Sequence, residues 1–396
     1  MKKILILNGS FCEEPIIKKA KDMGHYVVTT GNAPELCGHK FADEYIPCDY
    51  SDREAVLKLV QENCIEGIVS CANDFGVITA SYVAEKMGWK GHDTYENALL
   101  LHHKDKFKQY CKEKNIPSPT SEVFTSEEEA IRYCELAEYP IIVKANDLTG
   151  GKGINRANNI EEAKIALKKA FTASRDKHIV IEPFIEGTQH TICAFLINKR
   201  VFVSTSCQCY SFNNPYLIQA ETSESRYIQG EVKRNLIDII ERMANDLNLA
   251  DGIIALQLII RDNSVYIIEG MRRCFGNDAL YPFMLVTGFD WYEAYILAAL
   301  GEDASAAKLS APIKRYCGHF SVMSDVSGVY KETYLDPKIE EHIFRKIQLL
   351  KAGDRIDNPN AQRPLYIYYE YDDVDKMNED VVQYNEWVKI IVDKLN

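Results

Sequence analysis

The run Thr149-Gly150-Gly151-Lys152-Gly153-Ile154 is the first stretch of this chain whose composition points to chemistry. Three glycines let backbone N–H groups turn inward on an anion, and Lys152 adds a positive charge. It is not a Walker A loop, because position 146 is Asn and Gly153 stands where Ser or Thr must follow the lysine. A plain flexible turn is the competing reading. Lys144 tips the balance towards an anion. It ends the apolar run Tyr139–Val143, where a partly desolvated lysine needs an anionic partner, as a triphosphate would be. Lys104, at the start of a basic helix, is a third cation, although a solvated helix face explains it as well.

Two further segments carry chemistry. Glu182-Pro183-Phe184-Ile185-Glu186-Gly187 closes an apolar strand with a hinge-like turn, where a backbone edge beside a carboxylate can read an adenine ring. The second is a hairpin around Asn263, which places Gln257 opposite Glu269, with Met271 on the same face. A carboxylate ending an apolar strand and followed by Arg272-Arg273 suits a Mg²⁺–phosphate site. Arg272, Arg273 and Arg226 are candidates for bidentate binding of a substrate carboxylate. The polar–aromatic stretch Gln208–Tyr216 is a candidate acceptor pocket. Asn8-Gly9-Ser10 has one of the three glycines of a dinucleotide loop, and fits a small substrate better.

These residues need elements to hold them. The first 90 residues alternate strand and helix, which implies a parallel, doubly wound sheet. Strands are expected at Lys3–Leu7, Tyr26–Thr30 and Gly67–Cys71. Capping boxes at Ser51-x-x-Glu54 and Ser126-x-x-Glu129 open two helices. From Thr191 the pattern is antiparallel: Thr191–Ile197 with Val201–Ser206, then a helix from Val232 to Leu247, then Gly252–Ile260 with Val265–Glu269. Residues 376–394 read as a helix.

Composition narrows the class. Among 396 residues, 58 acidic side chains outnumber 46 basic ones, which argues against binding a nucleic-acid backbone. No apolar run reaches the ~20 residues of a membrane helix, and the start has too short an apolar stretch for a signal peptide. Twelve cysteines include no C-x-x-C. Cys207 and Cys209 are the only close pair, and their spacing argues against zinc. A reducing, cytoplasmic setting is expected.

Taken in order, the motifs resemble the ATP-grasp superfamily from residue 1 to about 300. The carriers are Lys104 followed by Pro117, Lys144 with the loop Gly150–Ile154, the hinge Glu182–Ile185, and Glu269 twelve positions after Gln257. Residues 315–394 resemble the small C-terminal domain of biotin carboxylase and of formate-dependent glycinamide ribonucleotide transformylase. The resemblance implies an α/β fold of three parts: a Rossmann-like (pre-ATP-grasp) domain at 1–92, a two-lobed α+β ATP-grasp domain at 93–306 with a lid at about 120–185, and a small β-rich domain at 307–396. It also implies site roles. Lys104, Lys144, Gly150, Gly151, Lys152, Gly153 and Ile154 would bind phosphates. Glu182, Phe184 and Ile185 would hold adenine, and Glu186 or Gln189 the ribose. Glu269 and Gln257 would hold Mg²⁺, and Arg272 and Arg273 would stabilise the transferring group. Gln257 and Met271 depart from the family's acidic residue and Asn, and Asn277 and Asp278 are near enough to substitute.

The implied activity is an ADP-forming carbon–nitrogen ligation: ATP activates a small-molecule carboxylate as an acyl phosphate, and an amine attacks it. Two other readings stand beside it, a non-catalytic ATP sensor or scaffold and a bicarbonate-using carboxylase. ATP and Mg²⁺ are the expected cofactors. No nucleic acid or membrane partner is expected, and a homodimer is.

Overall fold

The computed structural model describes residues 1–70, 72–148, 151, 153–314 and 316–394. The chain begins with β1 (Lys3–Leu7), β2 (Tyr26–Gly31), β3 (Glu44–Pro47) and β4 (Gly67–Val69), a parallel sheet in the order β3-β2-β1-β4. Both faces are covered, so β1 is apolar after Lys3 and Ile4–Leu7 are fully buried. β3 has no clear sequence signature and is an addition to the expected strands. The helix Arg53–Glu62 is capped by Asp52, not Ser51: the Asp52 carboxylate accepts from the amides of Glu54 and Ala55. Asn73 caps the helix Asp74–Met87, which ends on left-handed Gly88.

A second, four-stranded sheet contains β5 (Glu122–Phe124), β6 (Ile141–Ala145), β7 (Ile154–Ala157) and β8 (Ile179–Pro183), in the order β5-β8-β6-β7. The helices Glu127–Cys134 and Ile160–Ala173 cover one face of it. Ser126 caps the first of these as expected.

The largest sheet is built from β9 (Thr188–Ile197), β10 (Arg200–Tyr210), β11 (Ala220–Ser223), β12 (Gly252–Arg261) and β13 (Ser264–Met271). The chain continues through β14 (Tyr316–Ser321), β15 (Gly328–Leu335), β16 (Ile343–Gln348), β17 (Arg355–Ile356), β18 (Leu365–Tyr371) and β19 (Val388–Lys394). Three of these C-terminal strands join the same sheet, whose eight-stranded order is β13-β12-β9-β10-β11-β14-β18-β16. The other three form a separate sheet, β17-β15-β19. The helix expected over 376–394 is therefore only partly present. Helices span Val374–Val381 and Tyr384–Trp387, and the remainder is β19. Its Val-Lys-Ile-Ile-Val-Asp-Lys sequence is rich in β-branched residues, which favours a strand.

The eight-stranded sheet is covered on both faces. Alternate residues Ile192, Ala194, Leu196, Ile254, Leu256 and Leu258 pack under the helix Gly230–Asp246. The opposite set, Cys193, Cys207, Ala255 and Met271, packs under the helices Leu280–Thr287 and Trp291–Ala299. Where that second cover ends, the same face opens into a cavity. Among the described residues, no helix is long and apolar enough to cross a membrane.

Candidate active site between the sheets

A cavity of about 730 Å³ lies where the four-stranded sheet faces the open end of the eight-stranded one. Lys104, Lys144, Gly151, Ile154, Glu182, Phe184, Ile185, Glu186, Gln189, Gln257, Glu269 and Arg273 all line it. Residues 150 and 152, also expected here, lie outside the described residues.

At one end, charges are already matched. Lys144 Nζ donates to Glu182 Oε2 at 2.5 Å, and Lys108 Nζ lies 3.2 Å from Glu182 Oε1. All three side chains are nearly inaccessible to solvent. Lys144 and Glu182 meet because β6 and β8 are neighbours, with Ile142 opposite Glu182. Burial alone would push the Glu182 carboxyl up, but Lys108 and Lys144 outweigh it and hold it below the usual range. Burial pushes Lys108 down, with Glu182 opposing. Two buried lysines on one carboxylate leave an excess positive charge, and that excess is what an anionic ligand would neutralise. Lys104 adds to it, its ammonium tethered to the Leu148 carbonyl at 2.5 Å.

The glycine loop abuts this cluster. Ile154 pairs with Lys144, and the Ala145 amide donates to the Gly153 carbonyl at 3.0 Å. Gly151 has φ +73°, and a Cβ there would sit 2.5 Å from the Tyr216 carbonyl oxygen, so only glycine fits. Tyr216 belongs to the stretch expected to form an acceptor pocket. Its hydroxyl accepts from the Arg156 amide at 2.7 Å, which ties that stretch to the glycine loop. In the hinge, the Phe184 amide donates to the Pro140 carbonyl at 3.0 Å and is not free for a ligand. The Phe184 ring instead lies under Arg156. Glu186 pairs with Arg156 at 3.4 Å.

At the other end, donors stand open. Gln257 and Glu269 are cross-strand neighbours, as expected. The route differs from a symmetric hairpin: the register runs from Arg261–Ser264 to Leu258–Ile267, and a one-residue bulge then restores the 257–269 pair. Neither side chain makes a hydrogen bond or ion pair among the described residues. Their oxygens suit a hard cation such as Mg²⁺, whereas the neighbouring Met271 thioether does not. Asn277 also lines the cavity, with an unpartnered Oδ1. Asp278 does not substitute as a ligand. It is buried and accepts from Tyr292 at 2.6 Å and Tyr368 at 2.8 Å.

The arginines divide sharply. Arg273 reaches the cavity, and its Nε pairs with Asp74, which also lies 3.0 Å from His102 Nδ1. Burial pushes the Asp74 carboxyl up, but Arg273 and His102 hold it far below the usual range. Arg272 faces the opposite way, contrary to its expected catalytic role. It is held by Asp93 at 2.7 Å and by the carbonyls of Ile253 and Ala250, both at 2.6 Å. Strand alternation after Met271 makes this split unavoidable. Arg226 is also excluded, since it lies on the surface near Asp375. The Asn8-Gly9-Ser10 loop, a candidate for a small substrate, lies outside the lining of this cavity. Glu13 fills the loop, accepting from the Ser10 amide and hydroxyl, Asn8 and the Ala72 amide.

Several cavity residues went unread in the sequence, among them Lys108, Arg156, Glu221, Arg363 and Tyr366. Lys108 follows Lys104 by four positions and therefore shares its helix face, which was a usable signal. Arg363 lies just before β18 and Tyr366 within it, and no motif marks them.

Residues 102–213 match the family model of the phosphoribosylglycinamide synthetase ATP-grasp (A) domain. The whole fold is similar to that of phosphoribosylglycinamide synthetase from Anaerococcus prevotii (TM-score 0.72, 22% identity, 99% of this chain and 100% of that one). It is also similar to L-amino acid ligase from Bacillus licheniformis (0.81, 17%, 100% and 99%). A third likeness is the biotin carboxylase domain of Hydrogenobacter thermophilus 2-oxoglutarate carboxylase, solved with MgADP, ADP and bicarbonate (0.78, 18%, 99% and 91%).

Residues 102–213 thus carry an ATP-grasp domain, and the whole chain shares the fold of these three proteins. The matched ATP-grasp segment contains Lys104, Lys144, the glycine loop and Glu182, and it ends before Gln257 and Glu269. Those two residues therefore rest on the hairpin register alone.

Proposed function

We propose that the protein is an ADP-forming ligase that joins a small-molecule carboxylate to an amine. One observation carries this reading: a single cavity joins a buried lysine cluster of excess positive charge to an open Glu269–Gln257 pair, with Arg273 reaching in beside them. ATP would lie across the cavity, its adenine against Glu182–Ile185, its ribose near Glu186 and Gln189, and its phosphates towards Lys104, Lys144 and the glycine loop. The MgADP in the Hydrogenobacter structure supports that assignment. Glu269 and Gln257 would hold Mg²⁺, which neutralises charge on the transferring phosphoryl group. The substrate carboxylate attacks the γ-phosphorus and ADP leaves. The amine then attacks the acyl carbon, and phosphate leaves. Arg273, fixed by Asp74, is positioned to stabilise charge on the transferring group. The glycine loop, packed on Tyr216, would exclude water from the acyl phosphate.

In this reading the domains divide near residues 92 and 306, with the last part contributing Arg363 and Tyr366 to the cavity. A reducing, cytoplasmic setting and a homodimer belong to the same proposal. Met271 favours a site with one cation, not two.

ADP release should be measured over panels of carboxylates and amines, with bicarbonate as a separate arm. ADP formation that requires both a carboxylate and an amine is the expected result. ADP formation on bicarbonate alone would replace ligation with carboxylation, and no ADP from any combination would favour a sensor.

A further inference from the structure

Beyond the magnesium pair, the same sheet face carries a second set of metal-ligating side chains. Register puts Cys209, Glu221 and His319 side by side across β10, β11 and β14, and Cys207 lies two residues along β10. All four side chains are buried. Cys207 Sγ and Cys209 Sγ are 3.9 Å apart, and each is 3.5 Å from Glu221 Oε1. Two thiolates on one tetrahedral zinc at about 2.3 Å sit about 3.8 Å apart, and a thiolate and a carboxylate oxygen about 3.5 Å apart. The observed triangle is that of a tetrahedral zinc face.

A second observation is independent of the triangle. His319 is fully buried, neither ring nitrogen has a hydrogen-bond partner, and its Nδ1 lies 3.7 Å from Glu221 Oε2. An orphaned imidazole is costly in a core unless something ligates it. Among the described residues, no lysine or arginine pairs with Glu221, and its Oε1 accepts only from the Cys207 and Cys209 thiols. Asn277 donates to Glu221 Oε2 at 3.1 Å and fixes the carboxylate, as outer partners of metal ligands do.

We propose that Cys207, Cys209 and Glu221 bind one Zn²⁺ at the cavity wall, with the neighbouring His319 turning in as the fourth donor, so that the metal clasps β10, β11 and β14 together. Thiolate sulfur separates this site from the all-oxygen Glu269–Gln257 pair: soft donors select zinc and oxygen donors select Mg²⁺. Sequence spacing hid it because the ligands come from three strands.

The test is Zn²⁺ content of the purified full chain, followed by Co²⁺ titration of the zinc-stripped protein. About one zinc per chain and a thiolate-to-cobalt charge-transfer band are expected. Affinity should fall at least tenfold in the Cys207→Ser/Cys209→Ser variant and in Glu221→Gln, and should be unchanged in Glu269→Ala. That last arm separates the proposal from the fate of the ligase reading. Absence of the charge-transfer band, or equal affinity in the serine variant, overturns it. If the serine variant does not fold, Zn²⁺ protection of Cys207 and Cys209 from alkylation in the wild type decides. Protection is expected, and equal alkylation with and without Zn²⁺ overturns the site.

Discussion

The two ends of the cavity are built on opposite principles. At the lysine end, Lys108, Lys144 and Glu182 are buried and matched to one another before any ligand arrives. At the hairpin end, Gln257 and Glu269 are partly exposed and make no contact with an oppositely charged group among the described residues. The first arrangement belongs to folding as much as to binding, because removing one partner strands the others in a dry site. The second contributes little to folding and leaves its oxygens open to a ligand. Residues read together as one binding site therefore differ in what their loss should do.

The contrast is broken most directly by paired substitutions. Lys144→Ala should lower unfolding free energy by about 3–5 kcal/mol in urea titrations, since it leaves Glu182 with only Lys108. Glu269→Ala should change stability by no more than about 0.5 kcal/mol. It should, however, slow ADP formation by roughly 10²–10³-fold, the usual effect of removing one charge-stabilising group. Equal stability losses in the two variants would erase the distinction.

Arg272 and Arg273 sharpen the comparison within two adjacent residues. Arg272→Ala strands buried Asp93 and should cost roughly 3 kcal/mol of stability, with kcat per folded molecule unchanged. Arg273→Ala should do the reverse, lowering kcat with a smaller stability loss. Loss of kcat in Arg272→Ala at full folding would restore the catalytic role that its position denies.

Asp278 gives a smaller, pH-dependent effect. Burial pushes its carboxyl up to about 6, with the Tyr292 and Tyr368 hydroxyls opposing. Below about pH 4 the group is protonated in folded and unfolded chains alike. Between about 4 and 6 the folded protein keeps the proton and the unfolded chain loses it, so this group's contribution to stability falls as pH rises. The fall is at most about 3 kcal/mol. Asp278→Asn should remove it, which unfolding free energies at pH 4 and pH 7 would show. The same decline in both proteins would contradict the assignment.

The sequence carried the local parts of this picture well. Lys144 at a strand end, the glycine loop after it and the Gln257–Glu269 pair all follow from short-range pattern. Consequences of long-range pairing were hidden. Glu182 meets Lys108 only because a helix and two strands converge, and Arg363 arrives from the segment before β18, more than ninety residues beyond the hairpin. Alternation past Met271 separates Arg272 from Arg273, and it was readable once the strand was extended two residues. Val388–Lys394 was misread because helical apolar spacing nearby obscured its β-branched run.

Calorimetric titration with a non-hydrolysable ATP analogue, with and without Mg²⁺, on wild type and Glu269→Ala, tests the central claim. The account predicts binding that Mg²⁺ strengthens in the wild type, with that gain lost in the variant. No binding, or binding indifferent to both Mg²⁺ and Glu269, would contradict it.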